Sequence, residues 1–155
     1  MNNIFDIIRE SEFLFIKDYK SKKKIFFEMI NKAYLSHKID QNQLLNSLIK
    51  REKIGSTAVG NGIAIPHITV NTLNNPKFII SVLSKGISFD SVDNINVDII
   101  FLLLLPESTR KENLQILASV SRLLRNTELT NKLRGCKNQE SAIAIFTKVL
   151  QDKAA

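Results

Sequence analysis

Cysteine, histidine, glycine and proline are all scarce in this chain of 155 residues, which has one, two, five and three of them respectively. The single cysteine, Cys136, cannot form a disulfide within the chain. One cysteine and two histidines are also too few to build a Cys/His metal cage, so we expect no metal ion. We therefore interpret Cys136 as a structural residue in a reducing compartment.

Long hydrophobic runs are also missing. The longest dense apolar run, Val97 to Leu105, is interrupted by Asp98 and is well short of the roughly 18 residues needed to cross a bilayer. The N-terminus mixes acidic residues with apolar ones and lacks the basic start of a secretory signal. The sequence predicts no membrane span and a cytoplasmic protein. Its length and 44% hydrophobic content predict one domain over residues 1–155, with a core at about 5–150.

Positive charge is in excess, with a net charge of +7 and an isoelectric point near 9.6. The densest basic run, the lysines between Lys20 and Lys24, leads directly into apolar residues at helical spacing. We interpret it as the solvated start of an amphipathic helix, because charged residues normally cover the exposed face of such helices. Stacking aromatics are not interleaved with these lysines, which disfavours nucleic-acid binding. That remote alternative predicts an affinity that falls steeply with salt.

Hydrophobic periodicity predicts strands interleaved with helices. Strand signals lie at residues 13–17, 63–65, 78–83 and 97–105. Five helices are predicted: one ends near His37, and a second runs from Asp40 to Arg51. The third follows a Thr109-x-x-Glu112 capping box, the fourth surrounds residues 129–134, and the last begins near Asn138. This order is typical of the α/β class, in a single domain. The last two strands are almost continuously apolar, so helices should cover both faces of the sheet.

The sequence contains few motifs or residues that indicate catalysis. The chain has no Gly-x-Ser-x-Gly elbow, no P-loop ending in Lys-Ser/Thr and no dinucleotide fingerprint, so we expect no nucleotide or other cofactor. His37 lies at the polar end of a predicted helix, which indicates an exposed imidazole. His67 differs, because it follows the glycine-rich loop Gly55 to Gly62 and a strand stopped by Pro66. Open α/β sheets place ligands at strand ends, and glycine-rich loops can turn backbone N–H groups towards an anion.

The segment from Arg51 to His67, Arg-Glu-Lys-Ile-Gly-Ser-Thr-Ala-Val-Gly-Asn-Gly-Ile-Ala-Ile-Pro-His, closely resembles the active-site signature of the fructose/mannitol-type enzyme IIA family. These proteins belong to the bacterial sugar phosphotransferase system. The resemblance continues through residues 86–93, 97–106 and 113–118 and covers nearly the whole chain. It implies a mixed sheet of about five strands covered on both faces by helices.

The resemblance also implies roles for three residues. The histidine that matches His67 is phosphorylated, and the arginine that matches Arg51 stabilises the phosphoryl group; otherwise, Arg51 would form a surface ion pair with Glu52 or another acid. Asn113 occupies the position of the family's second histidine. Because asparagine cannot become cationic, we expect slower transfer than in members with both histidines. Alternatively, Asn113 only satisfies backbone groups at the start of its helix.

The implied phosphoryl donor is a histidine phosphocarrier protein. A stand-alone domain resembles the nitrogen-regulatory branch of the family, in which phosphorylation changes what the protein binds. The alternative is a sugar-specific enzyme IIA that passes phosphate to an enzyme IIB of a fructose/mannitol-type transporter. The two differ in whether an enzyme IIB domain removes phosphate from His67.

Overall fold

A computed structural model describes residues 3–18, 21–37 and 40–154, apart from the side chains of residues 34–37, 153 and 154. It contains six β-strands, β1 Glu12–Ile16, β2 Ala58–Gly60, β3 Ile63–Ala64, β4 His67–Val70, β5 Lys77–Ile87 and β6 Val97–Pro106. Its helices are α1 Ile4–Arg9, α2 Lys22–His37, α3 Gln41–Ile54, α4 Arg110–Leu124, α5 Thr127–Arg134 and α6 Gln139–Ala154. Among these helices, none is long and apolar enough to cross a membrane.

The strands form one mixed sheet in the order β1-β5-β6-β3-β2, and β4 also pairs with β6. β1 runs parallel to β5, β5 antiparallel to β6, and both β3 and β4 parallel to β6. β3 and β4 therefore occupy successive parts of the same edge of β6. The predicted α/β class and the mixed sheet covered by helices are confirmed.

The sheet has a hydrophobic core on each face, because successive side chains of a strand point to opposite sides. In β6, Ile99, Phe101 and Leu103 pack on one face with apolar residues of α1, α4, α5 and α6. Ile100, Leu102 and Leu104 pack on the other face with α2 and α3. Burial on both faces explains why polar and apolar residues do not alternate along β6.

Several predicted boundaries are corrected. α3 begins as expected, with the Asp40 carboxylate accepting a hydrogen bond from the Gln43 N–H, but it continues beyond Arg51 to Ile54. The predicted loop from Gly55 to Gly62 contains the short strand β2, which pairs with β3. The helix α1 has no counterpart in the predictions. The expected exposure of His37 concerns a side chain that lies outside the described residues.

His67 does not lie after the last residue of its strand, as Pro66 had suggested. Although Pro66 has no N–H, its carbonyl oxygen accepts a hydrogen bond from the Leu103 N–H at 2.9 Å. The pairing with β6 therefore continues past the proline, and His67 begins β4 opposite Leu103. A proline cannot donate a backbone hydrogen bond to a neighbouring strand, but its carbonyl can still accept one. The prediction that the strand ends at Pro66 was wrong for this reason.

The capping box at Thr109 is also wrong. Thr109 is the N-cap of α4, but its side chain makes no capping hydrogen bond. Its hydroxyl donates instead to Oδ1 of Asn113 at 3.1 Å. An N-cap hydroxyl accepts a hydrogen bond from a backbone N–H, whereas this hydroxyl acts as a donor to a side chain one turn along, which the sequence pattern does not show.

The lysine run begins α2 as predicted, and Lys23 and Lys24 are exposed. Lys22 is an exception to the solvated interpretation. Its ammonium lies 3.2 Å from Oε1 of Glu52 and 4.3 Å from the centre of the Phe89 ring. Lys20 lies outside the described residues. Lys22 therefore connects α2 to the end of α3 instead of facing water.

Candidate functional site

The orientation of His67 follows from strand alternation. Ile63 and Ile65 belong to the core on the α4 face, and two-residue alternation places His67 on that same face. Nδ1 of His67 lies 2.9 Å from the carbonyl oxygen of Ile65. Since a carbonyl can only accept a hydrogen bond, Nδ1 carries a proton, and in the neutral form of the ring the lone pair is on Nε2. The contact thus sets the tautomer of the neutral imidazole, with Nε2 as its nucleophilic nitrogen, and fixes the orientation of the ring.

His67 borders a cavity of about 390 Å³ between β4 and the first turns of α4. Its other relevant lining residues are Glu107, Arg110, Asn113, Leu114 and Leu117. They come from the carboxyl end of β6 and from α4, so this edge of the sheet does provide a ligand-sized opening at a strand end. The predicted site residues His67 and Asn113 are brought together here. Glu107 and Arg110 were not among the predicted site residues.

Asn113 is buried, with 7% of its surface exposed, although it borders the cavity. Its side-chain amide donates to the carbonyl oxygen of Pro106 at 2.7 Å, and its Oδ1 accepts from the Thr109 hydroxyl. These bonds satisfy backbone and side-chain groups at the start of α4, as the structural alternative expected. They also fix the amide, which retains one further N–H.

Arg51 lies in the last turn of α3 and is not among the residues that line the cavity. Its Nη1 donates to the carbonyl oxygen of Gly55 at 2.9 Å. The alternative ion pair with Glu52 is not formed, because the Glu52 carboxylate binds Lys22 and Thr57. The structure therefore does not bring Arg51 into the cavity with His67.

Glu52 holds the connection between α3 and β2 in place. Its carboxylate accepts from the Thr57 N–H at 3.0 Å and from the Thr57 hydroxyl at 2.8 Å, while Lys22 supplies the opposite charge. Only 7% of the Glu52 side chain is exposed. A carboxylate this buried requires such partners.

We expect Glu52→Ala to lower the free energy of unfolding by about 1–3 kcal/mol, because it leaves buried donors of Thr57 without an acceptor. Urea denaturation measures this loss. Lys53→Ala is the matched control, since Lys53 is the next residue on the same helix and is exposed. An equal effect of the two substitutions would contradict the stabilising role of Glu52.

The turn between β2 and β3 has three consecutive residues with positive φ, Gly60 at 97°, Asn61 at 56° and Gly62 at 81°. The N–H of Asn61 donates to Oδ2 of Asp93 at 2.8 Å. The carbonyl oxygen of Asn61 accepts from Nη2 of Arg134 at 2.6 Å. Backbone N–H groups, first that of Asn61 and then that of Ile95, lower the pKa of Asp93. The turn that leads to His67 is therefore anchored on both sides.

Cys136 does not have the surroundings of a reactive thiol. Its Sγ donates to the carbonyl oxygen of Lys132 at 3.5 Å, and burial raises the pKa of the thiol. A raised pKa lowers the fraction of thiolate, which is the reactive form. This geometry supports the structural interpretation of Cys136.

Comparison with known proteins gives a consistent result. Residues 6–149 match the family model of the phosphoenolpyruvate-dependent sugar phosphotransferase system, EIIA 2. A nitrogen regulatory protein of Bradyrhizobium diazoefficiens is 33% identical over 143 residues, which cover 92% of this chain and 94% of that protein. A fructose-specific EIIA component of Haloferax volcanii is 29% identical over 112 residues, or 72% of this chain and 73% of that protein.

The fold also agrees with a solved relative. The nitrogen regulatory protein IIA-Ntr of Neisseria meningitidis superimposes with a TM-score of 0.81 at 26% identity, over 92% of this chain and 97% of that one. The family match extends over almost all of the sheet and its helices, and it includes the strand and helix that border the His67 cavity. This chain belongs to the EIIA type 2 family and is a phosphotransferase component of the sugar phosphotransferase system.

Proposed function

We propose that the chain accepts a phosphoryl group on Nε2 of His67 from the phosphohistidine of a histidine phosphocarrier protein. The hydrogen bond from Nδ1 to the Ile65 carbonyl carries this proposal, because it leaves the Nε2 lone pair as the free nucleophile. The ring also borders an open cavity large enough for a phosphoryl group. We infer that the protein acts as a nitrogen-regulatory-type enzyme IIA.

In the transfer step, the Nε2 lone pair forms a new N–P bond in line with the bond that breaks. The donor phosphohistidine carries a proton on its other ring nitrogen, so the electron pair of the broken bond leaves the donor imidazole as a neutral ring. His67 keeps its Nδ1 proton and gains positive charge, which the Ile65 carbonyl stabilises at 2.9 Å. Since the transition state is loose, the protein contributes mainly position and charge.

The proposed role of Arg51 requires its side chain, which donates to Gly55 and does not line the cavity, to move towards His67. A guanidinium can donate two parallel hydrogen bonds to phosphoryl oxygens, which makes it suited to this task. Exchanging one exposed bond to a backbone carbonyl for a charged acceptor is favourable, because charge-assisted hydrogen bonds are the stronger kind. Arg51 would therefore engage only when the phosphoryl group is present.

Asn113 limits the charge that the site can offer. We expect Asn113→His to accelerate phosphorylation about fivefold, the effect of ~1 kcal/mol of added stabilisation. A histidine can still donate towards the Pro106 carbonyl and can also become cationic. Single-turnover transfer from the phosphocarrier measures this rate. An unchanged or slower variant, with unaltered thermal stability, would contradict the proposal.

The regulatory role is supported by the relative from Bradyrhizobium diazoefficiens, a nitrogen regulatory protein that this chain matches over 94% of that protein's length. The fructose-specific relative supports the alternative, in which phosphate passes to an enzyme IIB. Adding an isolated fructose- or mannitol-type enzyme IIB to the phosphorylated protein separates the two. Rapid loss of phosphate from His67 supports the sugar-specific role, and retention supports the regulatory one.

The central test mixes the protein with phosphoenolpyruvate, enzyme I and the phosphocarrier, and follows its intact mass. We expect one phosphoryl group per chain, lost on acid treatment as for other phosphohistidines. Omitting the phosphocarrier should prevent labelling. Failure of the complete mixture to label a folded protein would refute the proposed function.

A further inference from the structure

Arg110 is the first residue of α4 and borders the same cavity as His67. Its side chain is exposed and, within the described residues, makes no hydrogen bond or ion pair. A free guanidinium beside a free imidazole nitrogen can bind an anion that the imidazole carries. Arg51, by contrast, is bonded to Gly55 and lies outside the lining of this cavity.

The charges around the cavity indicate which anion. Glu107 is the acidic residue in its lining, and a phosphoryl group on His67 would add between one and two further negative charges. Without a cation, these like charges would repel one another and destabilise the phosphorylated state. Arg110 is the positively charged residue of the lining, so it balances Glu107 and leaves the fork of its guanidinium for the phosphoryl oxygens.

Asn113 cannot supply this charge. Its amide is neutral, and one N–H is already donated to the Pro106 carbonyl at 2.7 Å.

The N-terminus of α4 adds to the positive charge that Arg110 brings to the cavity. Because the Thr109 side chain turns to Asn113 and does not cap α4, the first backbone N–H groups keep their partial positive charge near the cavity.

We propose that Arg110 binds the phosphoryl group on His67 and provides the positive charge that Asn113, in place of a second histidine, does not provide. The inference rests on the proposed phosphorylation of His67 and deepens it. It predicts that Arg110 stabilises the phosphorylated protein itself, in addition to any effect on the rate of transfer.

The transfer equilibrium between the phosphocarrier and this protein tests the proposal. We expect Arg110→Gln to shift this equilibrium towards the phosphocarrier by about three- to tenfold, the effect of losing a charge-assisted contact at a partly exposed site. Arg110→Lys should lose less, because it keeps the charge and loses only the fork. Lys111→Gln is the control, since Lys111 is the neighbouring exposed cation and does not line the cavity.

The equilibrium constant depends only on the separated proteins, so a residue used solely for docking the phosphocarrier changes the rate and leaves the constant unaltered. An Arg110→Gln constant equal to that of wild type, or a loss no larger than that of Lys111→Gln, would overturn the inference. If wild type is labelled on His67 in that case, the proposed function still stands. A wild type that takes up no phosphate, or takes it up elsewhere, removes both.

A second substitution makes the charge argument specific. In the Arg110→Gln background, Asn113→His should restore the equilibrium constant, and the recovery should be larger at pH 6 than at pH 8. This follows because a histidine near its ordinary pKa of about 6.5 is largely cationic only at the lower pH. Recovery without pH dependence, or no recovery in a folded double variant, would contradict a charge shared between positions 110 and 113.

Discussion

His67→Ala is expected to take up no acid-labile phosphate from phosphoenolpyruvate, enzyme I and the phosphocarrier, whereas wild type becomes singly labelled. The physical reason is that the variant lacks the nitrogen that would form the N–P bond. Arg51, Arg110 and the glycine-rich turn could still bind an anion, but none of them replaces the nucleophile. Intact mass spectrometry before and after acid treatment measures the difference.

The chain offers a matched control, because it contains only one other histidine. His37→Ala should be labelled like wild type. His67 is partly exposed at the first position of β4, so its truncation should change the unfolding free energy by no more than about 1 kcal/mol. Labelling that persists in folded His67→Ala would refute the assignment. Its disappearance in His37→Ala would place the phosphate on the other histidine.

Much of the fold could be predicted from the sequence because β6 and β5 have strong local signals. A nearly unbroken apolar run such as residues 97–105 has few alternatives to a strand buried on both faces. The capping residue Asp40 likewise acts through its own neighbours, and its hydrogen bond to Gln43 forms as expected. His67 was identified because its motif is contiguous in sequence.

The features that prediction missed depend on contacts between distant segments. The pairing with β6 continues past Pro66 into β4 because Leu103 donates to the proline carbonyl, and the sequence around Pro66 does not show this partner. Arg110 becomes relevant because α4 begins beside β4, and the sequence contains no measure of that distance. Its position three residues before Asn113 was the available signal, since residues three apart on a helix share a face.

Gly62→Ala should cause the largest loss of stability among the substitutions considered, about 2–4 kcal/mol. The backbone of Gly62 has a φ of 81°, where a side chain adds ~1–2 kcal/mol of strain. A Cβ at this position would also lie 2.9 Å from both Nη2 of Arg134 and Oδ1 of Asp98. Moving Arg134 away would weaken its 2.8 Å ion pair with Asp98 and its bond to Asn61.

Gly55→Ala provides the control in the same loop. Its φ of 176° is extended backbone, and a Cβ there meets no atom within 4 Å, so stability should be unchanged or slightly higher. Urea denaturation of both variants measures the contrast. Equal stability of Gly62→Ala and wild type would show that the turn tolerates a side chain.

A third variant separates the two causes of the Gly62 effect. In an Arg134→Ala background, Asp98 loses the partner that holds it against Gly62, and the carboxylate can move away from a new Cβ. The further cost of Gly62→Ala should then fall towards the ~1–2 kcal/mol of backbone strain, and the Asn96 carbonyl oxygen, 3.3 Å from the new Cβ, is the close neighbour that remains. A full additive cost would assign the effect to the backbone. A reduced cost would show that the close contact with the Arg134–Asp98 pair is what excludes a side chain from the turn before His67.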